Sequence, residues 1–148
     1  MNIIIEELNA THDYVQYCNL LKQLTVIDTD RVTKEDFIKQ LTVINKNPYH
    51  KIFVAILSGK IIGTITILIE PKIIHNFASV AHIEDVVVDI NYRHYGVGSF
   101  LMNKAIWISK RDDYKCYKII LDCAIETCDF YKKFGFVVKE NQMVLRLD

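Results

Sequence analysis

The sequence predicts a single α/β domain, with a mixed, mostly antiparallel central sheet flanked by helices on both faces. Three observations carry this. Stretches of period-two alternation and stretches of helical periodicity are interleaved, neither strictly alternating nor segregated. Two β-rich runs lie so close together that an antiparallel hairpin is their natural arrangement. The chain has 148 residues with only five glycines and two prolines, so residues 1–148 form one domain with no linker inside it.

Taken in order, residues 3–7 read as a short first strand. From His12 the apolar residues Tyr14, Tyr17, Cys18, Leu21 and Leu24 recur at helical spacing. Thr33-Lys34-Glu35-Asp36 has the form of a capping box opening a second helix. Its buried stripe is Phe37, Leu41 and Ile44, and Asn47-Pro48 ends it. Lys51–Leu57 and Lys60–Ile69 form the hairpin about Ser58-Gly59, and Pro71 closes it. After a loop through His75-Asn76-Phe77, Ala81–Val88 is a third run, antiparallel to its predecessor. A long helix starts near Gly96 with Val97, Phe100, Leu101, Ala105 and Ile108 on one face. Lys118–Asp122 reads as a short buried strand, and Thr127–Phe134 as a short helix stopped by Gly135. Val137–Val138 and Gln142–Leu147 read as the last strand or strands.

Composition removes several classes of function. Hydrophobic residues at 51% and charged residues at 24% exclude disorder as the ground state. Lys+Arg and Asp+Glu balance at 18 each, which argues against nucleic acid or an anionic membrane as partner. No run approaches the roughly 18 apolar residues of a membrane span. Ile3-Ile4-Ile5 is too short for a signal peptide, so a cytoplasmic protein is expected. Cys18, Cys116, Cys123 and Cys128 form no C-x-x-C pair, and the five histidines complete no zinc set, so no metal is expected. The thiols read as reduced core residues.

The stretch Ile83-Glu84-Asp85-Val86-Val87-Val88-Asp89-Ile90-Asn91-Tyr92-Arg93-His94-Tyr95-Gly96-Val97-Gly98-Ser99 carries the chemistry. An apolar strand leads into a Gly-x-Gly that opens a helix, and such a junction points several N–H groups one way. That suits a phosphate or pyrophosphate, or else is an ordinary strand-to-helix turn. The third glycine of a dinucleotide fingerprint would fall at Leu101, and no Gly-Lys-Ser/Thr follows to make a phosphate loop. Glu84 and Asp85 are adjacent in a strand and should face opposite sides of the sheet, so they are not a glycosidase dyad. Asp122 ends a buried strand, where a carboxylate needs a partner. Position alone leaves a structural acid and a ligand-contacting acid equally open.

Arg93-x-x-Gly96-x-Gly98 resembles the signature of the GNAT acyltransferase superfamily, whose loop binds the pyrophosphate of acetyl-CoA. Three segments resemble the glucosamine-6-phosphate N-acetyltransferases within it. They are His82–Val88, Cys116–Cys123 and Phe130-Tyr131-Lys132-Lys133-Phe134-Gly135-Phe136. The resemblance covers nearly the whole chain and is weakest in residues 1–60. It implies a GNAT-like fold and acetyl transfer from acetyl-CoA directly to the amine of D-glucosamine 6-phosphate, a step towards UDP-N-acetylglucosamine. In that pattern Val86, Val87 and Val88 offer backbone groups to the acetyl carbonyl and pantetheine arm. Arg93, His94, Tyr95, Gly96, Val97, Gly98 and Ser99 surround the pyrophosphate, and Asp122 contacts cofactor or substrate. Tyr131 serves as acid for the departing thiolate, and Glu84 lies near the sugar amine and passes a proton through water. Substrate positions fall at Thr25, Lys72, Ile73, Ile74, His75, Glu84, Asp85, Val86, Tyr117, Lys118 and Arg146, where the cationic side chains suit a phosphate. His94 stands where the family often has glycine, and Thr127 where it often has asparagine. A homodimer is also implied, its last strand reaching the neighbouring site. The competing readings are a GNAT enzyme for a peptide N-terminus or polyamine, and a non-catalytic acyl-CoA-binding domain.

Overall fold

The computed structural model describes residues 2–148. Five strands form one sheet: β1 (Ile4–Glu7), β2 (His50–Leu57), β3 (Lys60–Pro71), β4 (Ser79–Val88) and β5 (Cys116–Leu121), side by side in that order. The first three pairings are antiparallel and β4 with β5 is parallel, giving the mixed sheet expected. The expected hairpin turns through Ser58 and Gly59, both at positive φ. Left-handed backbone at His75, Asn76 and Phe77 reverses the chain between β3 and β4.

Helices α1 (Tyr14–Leu21) and α2 (Lys34–Asn45) cover one face. Asp13 caps α1 by accepting from the amides of Val15 and Gln16, and Thr33 caps α2 by accepting from Asp36. Tyr17, Leu20 and Leu41 from these helices meet Ile52, Val54, Ile61 and Val87 of the sheet. Helix α3 (Val97–Ser109) lies on the other face, burying Leu101, Met102, Ala105 and Ile108 against Phe53, Ile65, Ile67 and Ile83. Gly63 permits this approach. A β-carbon there would lie 3.0 Å from both Leu101 Cδ1 and Val97 Cγ1. Phe100, expected on the buried face, is half exposed, and Met102 fills the core instead.

Three expectations for the C-terminal third need correction. β5 is not buried: it is an edge strand, paired with β4 on one side only, and Tyr117 and Ile120 are exposed. The short helix α4 spans only Cys128–Lys132, entered by a 3-10 turn over Ile125–Thr127. Gly135, with φ at +93°, lies beyond its last turn. No strand forms after β5 among the described residues, and Val137, Val138, Val144 and Leu147 are exposed. Alternating apolar residues make a strand only against a neighbour, and this stretch is hydrogen-bonded into no ladder within the chain.

Candidate active site

The sheet opens between its last two strands. β4 pairs with β5 from Ser79 to Ile83 only, while its pairing with β3 continues to Val88. Glu84–Val88 therefore have β3 on one edge and no strand on the other. A bulge sits at this point: the register with β3 shifts between Thr64 and Thr66, and Asp85 takes a φ of +50°. The extra residue changes the phase of the strand. Ile83, Val86 and Val88 all pack towards the α3 side, whereas Val87 joins the core beneath α1 and α2. The regular alternation expected for Glu84 and Asp85 is thus broken. Asp85 acts by its charge on both Glu84 and the buried Tyr17.

The loop after β4 is pinned from three directions. Asp89 caps a 3-10 turn (Ile90–Tyr95), accepting from the Asn91 amide at 3.0 Å and side chain at 3.1 Å. Lys60 Nζ lies 3.3 Å from the same carboxylate. Desolvation would push the Asp89 carboxyl up, but the Asn91 hydrogen bonds and Lys60 outweigh it and hold it below its ordinary value. Arg93 donates through Nε to the Val88 carbonyl at 3.1 Å, and the Ile90 amide donates to Gln23 Oε1 at 2.9 Å. The chain then turns through Gly96, left-handed at φ +75°, and starts α3 with no side-chain cap. The space around a β-carbon at Gly96 is nearly empty, with Phe100 Cε2 nearest at 4.0 Å. The first-turn amides of Val97, Gly98 and Ser99 consequently stand at an open, uncapped helix end, an arrangement suited to an anion. Gly98 has a second duty: a β-carbon there would fall 3.0 Å from Phe130 Cζ. His94 and Tyr95 belong to the preceding 3-10 turn.

Across the opening, α4 carries Tyr131, half-buried with its ring edge-on to Phe130 at 5.0 Å and to Phe136 at 6.3 Å. Desolvation first, and then the charge of Cys123, push its phenol above the usual tyrosine range. Tyr131 therefore keeps its proton through neutral pH. Desolvation, reinforced by the charges of Asp85 and Asp122, likewise raises the Glu84 carboxyl. Asp122 is exposed rather than buried, and its Oδ2 accepts from Gln142 Nε2 at 2.9 Å. The cost of burying a carboxylate does not arise, because β5 is an edge. Cys123 is exposed and Cys128 partly so, which corrects their reading as core thiols.

The substrate candidates divide into groups. His75 stacks on Tyr117 with ring centres 4.0 Å apart, and Lys118 Nζ lies 5.6 Å from the Tyr117 ring centre. The loop before β4 and the start of β5 are thereby joined. Ile73 and Ile74 lie exposed on that loop. Lys72 is bound to Glu70 at 2.6 Å, and Glu70 also meets His82 at 3.0 Å. Those two hydrogen bonds, Lys72 first, lower the Glu70 carboxyl. Thr25 closes the end of α1 through its amide to Leu21 O. Arg146 is paired with Asp148 at 2.9 Å in the C-terminal stretch. No hydrogen bond or ion pair among the described residues ties Thr25 or Arg146 to the others. Sequence reasoning missed Asp89, Gln23, Gln142 and the role of Phe130. Asp89-Ile90-Asn91 carried a readable turn signal, since an Asp side chain commonly bonds an amide two residues on.

Comparison with known proteins agrees with this geometry. The model of the Acetyltransferase (GNAT) family matches residues 16–136. The chain is 36% identical over 146 residues to a glucosamine 6-phosphate N-acetyltransferase from Arabidopsis thaliana, covering 94% of this chain and 93% of that one. It is 41% identical over 97 residues to one from Trypanosoma brucei brucei, covering 66% of this chain and 65% of the relative, just under two thirds of the latter's length. A crystal structure of the Arabidopsis thaliana glucosamine-6-phosphate N-acetyltransferase superimposes over all of both chains with a TM-score of 0.93 at 34% identity. A split central sheet, an uncapped helix start after Arg93-x-x-Gly96-x-Gly98 and a family match over most of the sequence lead to one assignment: the chain belongs to the GNAT family of acetyltransferases.

Proposed function

We propose that the protein transfers the acetyl group of acetyl-CoA directly to the amine of D-glucosamine 6-phosphate, giving N-acetyl-D-glucosamine 6-phosphate and CoA. The observation that carries this is the near-full-length likeness to glucosamine 6-phosphate N-acetyltransferases, in sequence and in fold. The residues of the opening fit an acyl-CoA. The free amides at Val97–Ser99 suit a pyrophosphate, and the unpaired edge of Glu84–Val88 suits an arm rich in amide groups. Acetyl-CoA supplies an activated thioester. Arg93, by holding the Val88 carbonyl, fixes the loop against the strand that would receive it.

Each remaining step falls to a residue of the chain. Backbone groups of Val86–Val88 steady the oxyanion that develops on the acetyl carbonyl. Tyr131, its proton retained by desolvation, donates to the departing thiolate. Glu84, raised but accessible, accepts the proton of the amine through water. Lys118 and the stacked His75–Tyr117 pair offer a polar wall to the sugar phosphate. Holding both substrates together removes the entropy of a bimolecular encounter and makes a covalent enzyme intermediate unnecessary.

The reading extends to a homodimer and to the cytoplasm. The unpaired edge of β5 and the exposed apolar residues of the C-terminal stretch, Val137, Val138, Met143, Leu145 and Leu147, support a dimer in which that stretch finds its neighbour on a second copy and brings Arg146 to a site. Four unpaired cysteines suit a reducing compartment.

One assay tests the reaction. CoA release is followed with glucosamine 6-phosphate, glucosamine and a panel of peptides and polyamines. Preference for glucosamine 6-phosphate supports the proposal. Preference for an unphosphorylated amine overturns the substrate, and cofactor binding without any turnover overturns the enzyme.

A further inference from the structure

The sulfur atoms of Cys123 and Cys128 lie 3.6 Å apart, on either side of the 3-10 turn that leads into α4. The turn is held by two bonds to one carbonyl: Thr127 Oγ1 donates to Ala124 O at 2.9 Å, and Cys128 Sγ donates to it at 3.7 Å. Cys123 directly follows Asp122, and Cys128 precedes Tyr131 by three residues on α4. Both thiols are reachable from solvent, Cys123 more so. Their spacing of five residues makes a small loop, and bonding them needs the sulfurs to close by about 1.5 Å.

We propose that Cys123 and Cys128 form an oxidisable dithiol whose disulfide form disables the Tyr131 end of the cleft. The oxidant is hydrogen peroxide or another hydroperoxide. One thiolate attacks the peroxide, its sulfur is oxidised to a sulfenic acid, and the peroxide oxygen leaves as water after taking up a proton. The second thiol then attacks that sulfur, the S–S bond forms, the S–O bond breaks, and a second water leaves. In sum two thiols lose two electrons and two protons, and one peroxide becomes two waters. Desolvation and then the neighbouring Cys128 raise the Cys123 thiol, so little of it is thiolate at neutral pH and the pair reacts with peroxide slowly, at oxidative excess. Bonding Cys128 to Cys123 pulls on the first residue of α4, and Tyr131 sits one turn further along the same five-residue helix. The loss of activity rests on the role given to Tyr131 above, whereas the dithiol chemistry does not.

The test uses the reduced full-length protein, treated with hydrogen peroxide, alkylated and digested with trypsin. Residues 119–132 form one tryptic peptide holding both cysteines. The expected result is a peptide lighter by two hydrogens that takes no alkyl group, together with roughly tenfold slower turnover of glucosamine 6-phosphate, both restored by dithiothreitol. Cys123→Ser and Cys128→Ser, each alone, should leave turnover resistant to reversible peroxide loss. A peptide that still takes two alkyl groups, or passes to sulfinic acid without a disulfide, overturns the proposal. So does a disulfide that changes neither turnover nor CoA affinity. If the reduced protein acetylates no amine, the proposed reaction fails separately, and the alkylation and CoA affinity still decide the dithiol.

Discussion

A β-carbon on Gly98 would lie 3.0 Å from Cζ of Phe130, and Phe130 meets Tyr131 edge-on at 5.0 Å. The loop proposed to hold a pyrophosphate is thus packed through one ring onto Tyr131, the proposed acid. Gly98→Ala removes a helix-weakening glycine but forces Phe130 to give by a few tenths of an ångström. Turnover should fall roughly tenfold with little loss of stability, because Ala is the better helix former. Gly96→Ala is the contrasting case: the space is open but φ is +75°, so it should cost about 1–2 kcal/mol and weaken acetyl-CoA binding. Steady-state kinetics and thermal melts on the two variants separate these effects. Equal kinetic defects in both would contradict the coupling.

Tyr131→Phe keeps the ring contacts with Phe130 and Phe136 and removes only the hydroxyl. Turnover should fall by roughly two orders of magnitude, while acetyl-CoA affinity measured by calorimetry stays within about twofold. Unchanged turnover would remove the acid role.

The acid side of the pH–activity profile should belong to Glu84. Its carboxyl is raised by desolvation and by the charges of Asp85 and Asp122, so it takes up a proton at higher pH than an ordinary glutamate. A protonated Glu84 cannot accept the amine's proton, so activity should decline as pH falls through that raised value. Asp122→Asn removes one of the negative charges and should move the decline to lower pH. Glu84→Gln should abolish the decline along with most of the turnover. A limb that stays in place in Asp122→Asn would detach the profile from Glu84.

Tyr17 supplies a stability prediction away from the cleft. Burial, opposed by a hydrogen bond with Thr64, pushes its phenol up to about 12, against 10.0 unperturbed. A folded value above the unfolded one means the neutral phenol's contribution is intact below pH 10 and is lost as pH rises towards 12. The wild type should lose about 2–3 kcal/mol over that window from this residue alone. Denaturant titrations should show a shallower alkaline loss in Tyr17→Phe; identical slopes would mean that Tyr17 titrates normally.

Charge removal at Lys118 should raise the Michaelis constant for the sugar phosphate several-fold more than that for acetyl-CoA. Equal effects would put Lys118 outside the phosphate pocket. Arg146→Ala should behave alike only where the protein is dimeric, which sedimentation at the assay concentration establishes.

The hairpin, the loop at His75–Phe77 and the helix after Gly96 were legible because each is local: alternation, turn chemistry and a Gly-x-Gly start are written in neighbouring residues. The bulge at Asp85 was not, because Ile83-Glu84-Asp85-Val86 reads as an unbroken strand and only the pairing with Thr64 and Thr66 reveals the extra residue. Asp122 was misread as buried for the related reason that apolar content in β5 does not tell an edge from a centre. Met143, Leu145 and Leu147 alternate like a strand, yet whether they form one depends on a neighbour the sequence does not name. The turn at Gly96 was legible because its left-handed conformation, φ +75°, is a local demand that glycine meets. Gln142 reaches Asp122 across 20 residues and left no local mark.

An acetyl-CoA arm should lie in the gap beyond Ile83, between β4 and β5. A crystal structure with CoA and glucosamine 6-phosphate decides this. The expected result has the arm against the free edge of Val86–Val88, the pyrophosphate on the amides of Val97–Ser99, and the sugar amine on the Glu84 side. CoA bound elsewhere on the chain, or side chains closing the gap between β4 and Tyr131, would contradict the account.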